Sequence, residues 1–157
     1  MKSNQLRYGL KRVFDMRKIK FRGKSKRSEG WLFGYLFEYG LMSPSNVPCI
    51  CAVADISWRD CYDLYEVEPD TVGQCTGLKD RNGIDIYEGD VICSQFYEDK
   101  RVYHVVIWDE NSASFRARLI KQGLPFDCCG IFQDWIDRFG KEVVGNIFDN
   151  KEFLEEE

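Results

Sequence analysis

The chain lacks the features by which membrane and secreted proteins are usually recognised. None of its apolar runs approaches the roughly 18 residues that a membrane-spanning helix needs. Its first residues do not form the charged, apolar and small-residue sequence of a signal peptide. No internal repeat or low-complexity linker interrupts the 157 residues, a length that suits one compact domain. We therefore expect a single domain that acts in the cytoplasm without a membrane partner.

Histidine is almost absent, and its scarcity limits the chemistry. His104 is the sole imidazole, and it falls in YHVVIW, where the alternation predicts a strand. A thiol nucleophile needs a base, and zinc sites favour C-x-x-C pairs, whereas the close pairs here are C-x-C and C-C. An odd number of cysteines argues against a full disulfide framework. We expect reduced, buried thiols, without zinc or a cysteine nucleophile, at Cys49, Cys51, Cys61, Cys75, Cys93, Cys128 and Cys129.

Hydrophobic residues make up 44% of the chain and aromatic residues 15%, which is typical of a folded protein with a core rich in rings. Short runs of β-branched and aromatic residues alternate with polar turns, and this pattern predicts a barrel or sandwich of strands with one or two short helices. The predicted strands are RKIKFRG (17–23), WLFGYLFEYG (31–40), CICAVADI (49–56), LYEV (64–67), IDIYE (84–88), DVICSQFYED (90–99), RVYHVVIWDE (101–110), SASFRARLIKQ (112–122) and KEVVGNIF (141–148).

Helical spacing is confined to short segments. Leu6, Leu10 and Val13 share a helical face within residues 1–15, QDWIDRFG (133–140) has the length of one or two turns, and the acidic tail from residue 149 begins with a helix-compatible pattern. Met16 is a possible second start site, so residues 1–15 are predicted to be an extension in front of a single β domain of residues 16–157.

Charge is unevenly distributed along the chain. Residues 1–27 carry a net charge of +10, whereas the remainder carries −14. A basic segment can bind phosphates, or it can bind the acidic surface of its own protein or of another copy. The residues that would contact nucleic acid are Arg17, Lys18, Lys20, Arg22, Lys24, Lys26 and Arg27.

The stretch QCTGLKDRNGIDIYEGDVI (74–92) combines glycine turns with acids. Asn82-Gly83 is a strong hairpin signal, and Gly89-Asp90 marks a second turn in which the carboxylate can cap the backbone. The alternative is a metal-dependent acid-base site, because paired carboxylates bind hard cations. A calcium loop fails on spacing, since Val91 stands where the twelfth-position glutamate belongs. The four acids concerned are Asp80, Asp85, Glu88 and Asp90.

The segment TVGQCTGLKDRNGIDIYEGDVI closely resembles the signature of the YopX family, small proteins of bacteriophages and prophages. MRKIKFRGK, VVIW and KEVVGNIFDNKEFL are similar to other parts of that family. The resemblance implies a mainly β fold in which residues 72–154 contain a small barrel of the Src-homology-3-like (SH3-like) kind, encoded by a phage or prophage and acting in the bacterial host. It implies no activity and no cofactor. The turn signature it singles out is Gly77, Asp80, Asn82, Gly83, Glu88, Gly89 and Asp90.

Three functions compete on these grounds. The first is a non-enzymatic accessory protein that binds an unknown protein partner, or forms a homo-oligomer, through an aromatic surface. The second is nucleic-acid binding through residues 17–27 with stacking on exposed rings, and the third is a metal-dependent carboxylate enzyme. We expect no enzyme activity. The predicted interaction surface is Trp31, Tyr35, Trp58 and Tyr62.

Overall fold

The structure is a computed structural model that describes residues 19–39, 47–51, 65–96, 100–120 and 128–153. Several predictions concern residues outside these ranges and stay predictions. They are the helix within residues 1–15, most of the strand from 49 to 56, the phosphate contacts of Arg17 and Lys18, and the interaction roles of Trp58 and Tyr62.

Within the described ranges the chain forms ten strands, one α-helix and two short 3-10 helices. The helix α1 spans Gln133–Arg138, and the 3-10 turns span Pro69–Thr71 and Lys151–Phe153. The strands are β1 (Phe21–Lys24), β2 (Trp31–Tyr39), β3 (Val47–Cys51), β4 (Gly73–Lys79), β5 (Asp85–Tyr87), β6 (Asp90–Phe96), β7 (Lys100–Asp109), β8 (Ser114–Ile120), β9 (Cys128–Gly130) and β10 (Glu142–Asn146).

These strands form two antiparallel sheets of five strands each. The N-terminal sheet has the order β3-β2-β1-β4-β5, and the C-terminal sheet has the order β10-β6-β7-β8-β9. The prediction of a mainly β protein with short helices is therefore confirmed. No strand pairing within the described ranges closes either sheet into a barrel. None of the described helices has the length and apolar character required to cross a lipid bilayer.

The sequence pattern located most of these elements. The β1–β2 hairpin pairs Phe21 with Gly34, and β6, β7 and β8 form the expected meander. The predicted LYEV strand is not continuous over its described residues 65–67, where Glu66 and Val67 form isolated bridges and the Tyr65 carbonyl accepts from the Ile50 amide at 2.9 Å. Strands β4 and β9 were missed, since the first is rich in glycine and polar residues and the second has three residues.

Two apolar clusters hold the C-terminal sheet. The larger cluster joins Ile86 of β5 to Ile92, Val106 and Ala117 of the meander and to Ile136 of α1, and all five side chains are fully buried. A smaller cluster combines three side chains from β6, β7 and β8 with half-buried neighbours. Because Ile86 belongs to the N-terminal sheet, the larger cluster also joins the two sheets.

Candidate functional site

A buried ion pair lies where the two sheets meet. Arg22 of β1 is 6% exposed and Asp90, the first residue of β6, is 1% exposed. Arg22 Nη1 lies 2.5 Å from Asp90 Oδ1. A nucleic-acid contact by Arg22 stays a prediction, against which stands the pairing of its guanidinium inside the protein.

The surrounding groups offset the cost of burying these charges. The Arg22 guanidinium stacks between two rings, 4.8 Å from the Trp31 centroid and 5.2 Å from the Tyr87 centroid. Its Nη2 donates to the Glu88 carbonyl oxygen at 3.1 Å, and Asp90 Oδ2 accepts from Tyr87 N–H at 2.7 Å. Burial raises the pKa of Asp90, although Arg22 and the Tyr87 amide act in the opposite direction. The Arg22 Nε atom has no hydrogen-bond partner.

The turn at residues 80–84 is organised by a buried carboxylate. Asp80 Oδ1 accepts from the amides of Asn82 and Ile84 at 2.8 and 2.9 Å, and Oδ2 accepts from Val143 of β10 at 3.1 Å. Burial alone would raise the pKa of Asp80, but these amides outweigh burial and lower it. Gly83 completes the turn at a φ of 83°. Asp80 therefore attaches this turn to the C-terminal sheet.

The second turn of the signature connects both sheets through backbone bonds. Glu88 N–H donates to Gln74 of β4, while Gly89 N–H donates to Val106 of β7 and the Gly89 carbonyl accepts from Ile147. Gly89 has a φ of 81°, and a Cβ there would lie 2.6 Å from the Phe148 ring. Only glycine combines this left-handed conformation with so close an approach.

The remaining signature residue is Gly77. It has a φ of 81° and lies in β4, between the two points at Cys75 and Lys79 where β4 pairs with β5 and between which the register shifts. A glycine inside a strand typically marks such an irregularity.

A groove of about 650 Å³ opens above the Arg22–Asp90 pair. The buried pair and Tyr87 form its floor, and three apolar side chains at its edge remain open to solvent: Phe33 (48% exposed), Tyr35 (45%) and Ile84 (52%). The Phe33 ring meets the Tyr87 ring edge-on at 5.6 Å. The described residues that line it are Lys20, Arg22, Phe33, Gly34, Tyr35, Ile84, Asp85, Tyr87, Asp90 and Val143.

The predicted interaction surface overlaps this groove in part. Tyr35 lines it. Trp31 stacks on Arg22 beside the floor, and its Nε1 donates to Asp149 at 2.7 Å. Phe33 was missed, because the alternation of β2 does not reveal which face is covered. Its exposure, together with its position two residues before Tyr35, places two rings on one open face.

The described basic residues other than Arg22 lie near acidic groups of the same chain. Lys24 Nζ lies 2.7 Å from Asp149, and Lys26 Nζ lies 2.6 Å from Glu66. Lys20 lies 3.8 Å from Asp85. The backbone N–H of Arg27 donates to Ser25 Oγ at 3.2 Å. Nucleic-acid binding by this segment stays a prediction. Ion pairs within the protein leave fewer of its cations available to phosphates than the sequence alone suggests.

The four acids of the signature stretch have separate partners. Asp80 binds backbone amides, Asp85 accepts from Lys79 at 2.6 Å, and Asp90 pairs with Arg22. Glu88 Oε1 accepts from a backbone amide at 3.4 Å. Within the described ranges no three His, Cys, Asp or Glu side chains converge in a way that could hold a metal ion. Cys75 and Cys93 are free thiols.

A second group of perturbed residues lies inside the C-terminal sheet. Lys141 Nζ donates to Ser94 Oγ at 2.8 Å, lies 3.4 Å from His104 Nδ1, and sits 4.4 Å from the Trp135 ring centroid. Burial lowers the pKa of Lys141 to about 8, and burial and the Lys141 charge lower that of His104 to about 4.

A serine hydroxyl beside a lysine of lowered pKa can act as a nucleophile, with the lysine amine as its base. However, Ser94 is 2% exposed and Lys141 is 3% exposed. A substrate could not reach Ser94 in this conformation, so the groove is the better candidate site.

Comparison with known proteins gives similar solved structures and a family. The crystal structure of protein EF1440 from Enterococcus faecalis matches with a TM-score of 0.51 and 24% identity, over 89% of this chain and all of that one. At that identity the likeness shows the fold alone. None of the curated proteins compared with the chain matches it. The family model described as YopX protein matches residues 20–155, and the chain therefore belongs to the YopX family.

Proposed function

We propose that the protein is a non-enzymatic binding protein that engages a protein partner in the groove above Arg22 and Asp90. The observation that carries this proposal is the exposure of Phe33, Tyr35 and Ile84 around a groove of about 650 Å³. Clefts of roughly 300 to 1,000 Å³ lined by rings are typical binding sites, and aromatic anchors supply much of the energy of protein interfaces.

The floor of the groove favours binding because it is held in place before a partner arrives. Arg22 is fixed by Asp90, by the Glu88 carbonyl and by two rings. A site whose side chains are already ordered loses less conformational entropy when it binds. The floor therefore supports recognition by shape, whereas the exposed rings supply the apolar contact.

The family supports a proposed context. YopX membership is compatible with a phage- or prophage-encoded accessory factor that acts in the cytoplasm of a bacterial host. We also propose that the C-terminal sheet curls into a small SH3-like barrel. Its last strand, β10, returns beside its first, β6, and the register shift between Val143 and Gly145 bends the strand as a bulge does.

The proposal is tested with a double variant, Phe33→Ala with Tyr35→Ala, and with Phe132→Ala as the matched control. Phe132 is 55% exposed and does not line the groove. A partner that cross-links to the wild-type protein in host lysate should be recovered with Phe132→Ala and lost with the double variant, while circular dichroism shows all three proteins folded. Light scattering identifies the case in which the partner is a second copy. Equal recovery by the double variant would refute the proposed site.

A further inference from the structure

Three cations share two carboxylates at the groove, because Lys79, beside the lining, pairs with the same Asp85 as Lys20 does. Arg22 and Asp90 neutralise each other at its floor. Asp85 lies between two lysines, but Lys79 Nζ is much nearer, at 2.6 Å against 3.8 Å for Lys20. Lys79 also donates to the Gly83 carbonyl at 3.2 Å, which fixes it in place. The ammonium group of Lys20 therefore has its nearest described carboxylate, Asp85, at 3.8 Å and shares it with the closer Lys79.

Lys20 is also placed to meet a ligand. Its side chain is 45% exposed, and it shares the groove lining with Phe33, Tyr35 and Ile84. The Lys20 carbonyl accepts a hydrogen bond from the Cys75 amide at 2.8 Å. This bond fixes the backbone from which the Lys20 side chain extends. A half-exposed cation beside exposed rings is a site for a ligand that is apolar and carries an anionic group.

We propose that the groove binds an extended acidic segment of a partner protein, with an apolar side chain between the exposed rings and one carboxylate on Lys20. This inference rests on the proposed function and specifies its ligand. Side chains two residues apart in β2 share one face, as do alternate residues of an extended peptide. The partner's apolar residues would therefore alternate with outward-facing ones.

The charge pattern favours a peptide over a nucleic acid. A nucleic-acid strand carries a charge at every phosphate and is bound by a row of cations. Here one ammonium is available, and the adjacent cations Lys79 and Arg81 are paired with Asp85 and Glu142. One uncompensated positive charge matches one carboxylate.

The test uses fluorescein-labelled decapeptides in which an apolar residue (leucine or phenylalanine) and a glutamate stand two positions apart with serine between them, so that both face the groove, together with matched probes in which glutamine or lysine replaces each glutamate. A single-stranded oligothymidine of the same length is the fourth probe. At low salt the glutamate probe should bind wild-type protein about five-fold more tightly than the glutamine probe, and salt should reduce the difference. Lys20→Glu should reverse the preference towards the lysine probe. Lys26→Glu changes the net charge equally, outside the groove, and should leave the preference unchanged.

The outcomes separate this inference from the proposed function. Equal affinity for the glutamate and glutamine probes, both weakened by Phe33→Ala, would overturn the acidic ligand and leave the groove as a protein-binding site. Failure of Phe33→Ala to weaken any peptide would overturn both proposals. Binding of the oligothymidine alone, abolished by Lys20→Glu, would overturn the peptide in favour of a nucleic acid.

Discussion

Arg22 occupies a position that simple alternation assigns to solvent. Alternation in RKIKFRG places the apolar residues Ile19 and Phe21 on one face and the charged residues on the other, yet Ile19 is 48% exposed while Arg22 is buried. The inversion depends on Asp90, 68 positions along the chain, and on two rings from other strands. No local pattern in a sequence indicates that a charge has a distant partner, so the buried ion pair of the site could not be predicted. The turn glycines, in contrast, are local signals.

Removing one member of the pair should be far more costly than removing both. We expect Arg22→Met or Asp90→Asn to lower the free energy of unfolding by about 3–5 kcal/mol, because an unpaired charge or carbonyl is left buried. The double variant should lose less than the sum of the two single losses. Urea denaturation measures all three. The control is Lys26→Met, which breaks an ion pair at the surface and should lower the free energy of unfolding far less than either single variant of the buried pair.

His104 should make the protein sensitive to mild acid. Its pKa falls from 6.5 to about 4 on folding, so the unfolded chain binds the proton more tightly between these values. The stability that the neutral His104 side chain provides is present above pH 6.5 and is lost as the pH falls towards 4. The free energy of unfolding decreases by up to about 3 kcal/mol over this range. Urea denaturation at pH 7 and pH 4.5 should show a smaller loss for His104→Gln than for wild type. Because the chain has one histidine, its NMR titration gives the pKa directly, and a value near 6.5 would contradict the expectation.

At the scale of elements, the strands with strong patterns were found and those defined by pairing alone were not. DVICSQF and RVYHVVIW are dense in β-branched and aromatic residues, and both became strands. GQCTGLK became β4 because it pairs with β1 and β5, although its glycines argue against a strand. LYEV has the alternation of a strand, but its described residues 65–67 form isolated bridges. Strand formation here depends on which edges are available as much as on propensity.

The turn before β6 offers a matched pair of substitutions. Gly89 and Gly83 have φ angles of 81° and 83°, but only at Gly89 would a Cβ meet another side chain, Phe148, at 2.6 Å. We expect Gly83→Ala to cost about 1 kcal/mol, from backbone strain alone. Gly89→Ala should cost about 2–4 kcal/mol, because strain and overpacking add. Thermal unfolding of the two variants checks this expectation. Equal losses of stability would show that the Phe148 ring moves aside without a cost in free energy.

At the scale of the whole molecule, a few polar contacts of long sequence separation attach the N-terminal sheet to the C-terminal part of the chain. Asp149 accepts from Lys24 Nζ and from Trp31 Nε1, both at 2.7 Å, and Trp31 contacts the Phe148 ring. The Lys24 hydrogen bond is the first cause that lowers the pKa of Asp149 to about 2. The sequence indicated two strand-rich regions and an acidic end, but not this attachment, which depends on the positions of two loops.

Asp149→Ala should loosen the attachment without unfolding the C-terminal sheet. We expect faster amide hydrogen exchange in β1 and β2, whereas β7 and β8 keep their protection, because two of the lost bonds belong to the β1–β2 hairpin and the third comes from Asn146 at the end of β10. Asp109→Ala is the control. That carboxylate accepts from Asn111 and Ser112 in its own turn, so its loss should affect only the β7–β8 connection. Uniform acceleration in both sheets with Asp149→Ala would contradict this account.

The long separation of these contacts has a consequence for how the protein is made. Lys24 and its partner Asp149 are 125 positions apart, and a ribosome that adds 5–20 residues per second needs roughly 6 to 25 seconds to cover that distance. The β1–β2 hairpin therefore emerges well before the carboxylates that pair with it. Arg22 is made before its partner Asp90, and Trp31 is made before its partner Asp149. During this interval its rings and charges are available to chaperones, so the order of synthesis exposes the rings of β2 before Tyr87 and Asp90, which complete the groove, have been made.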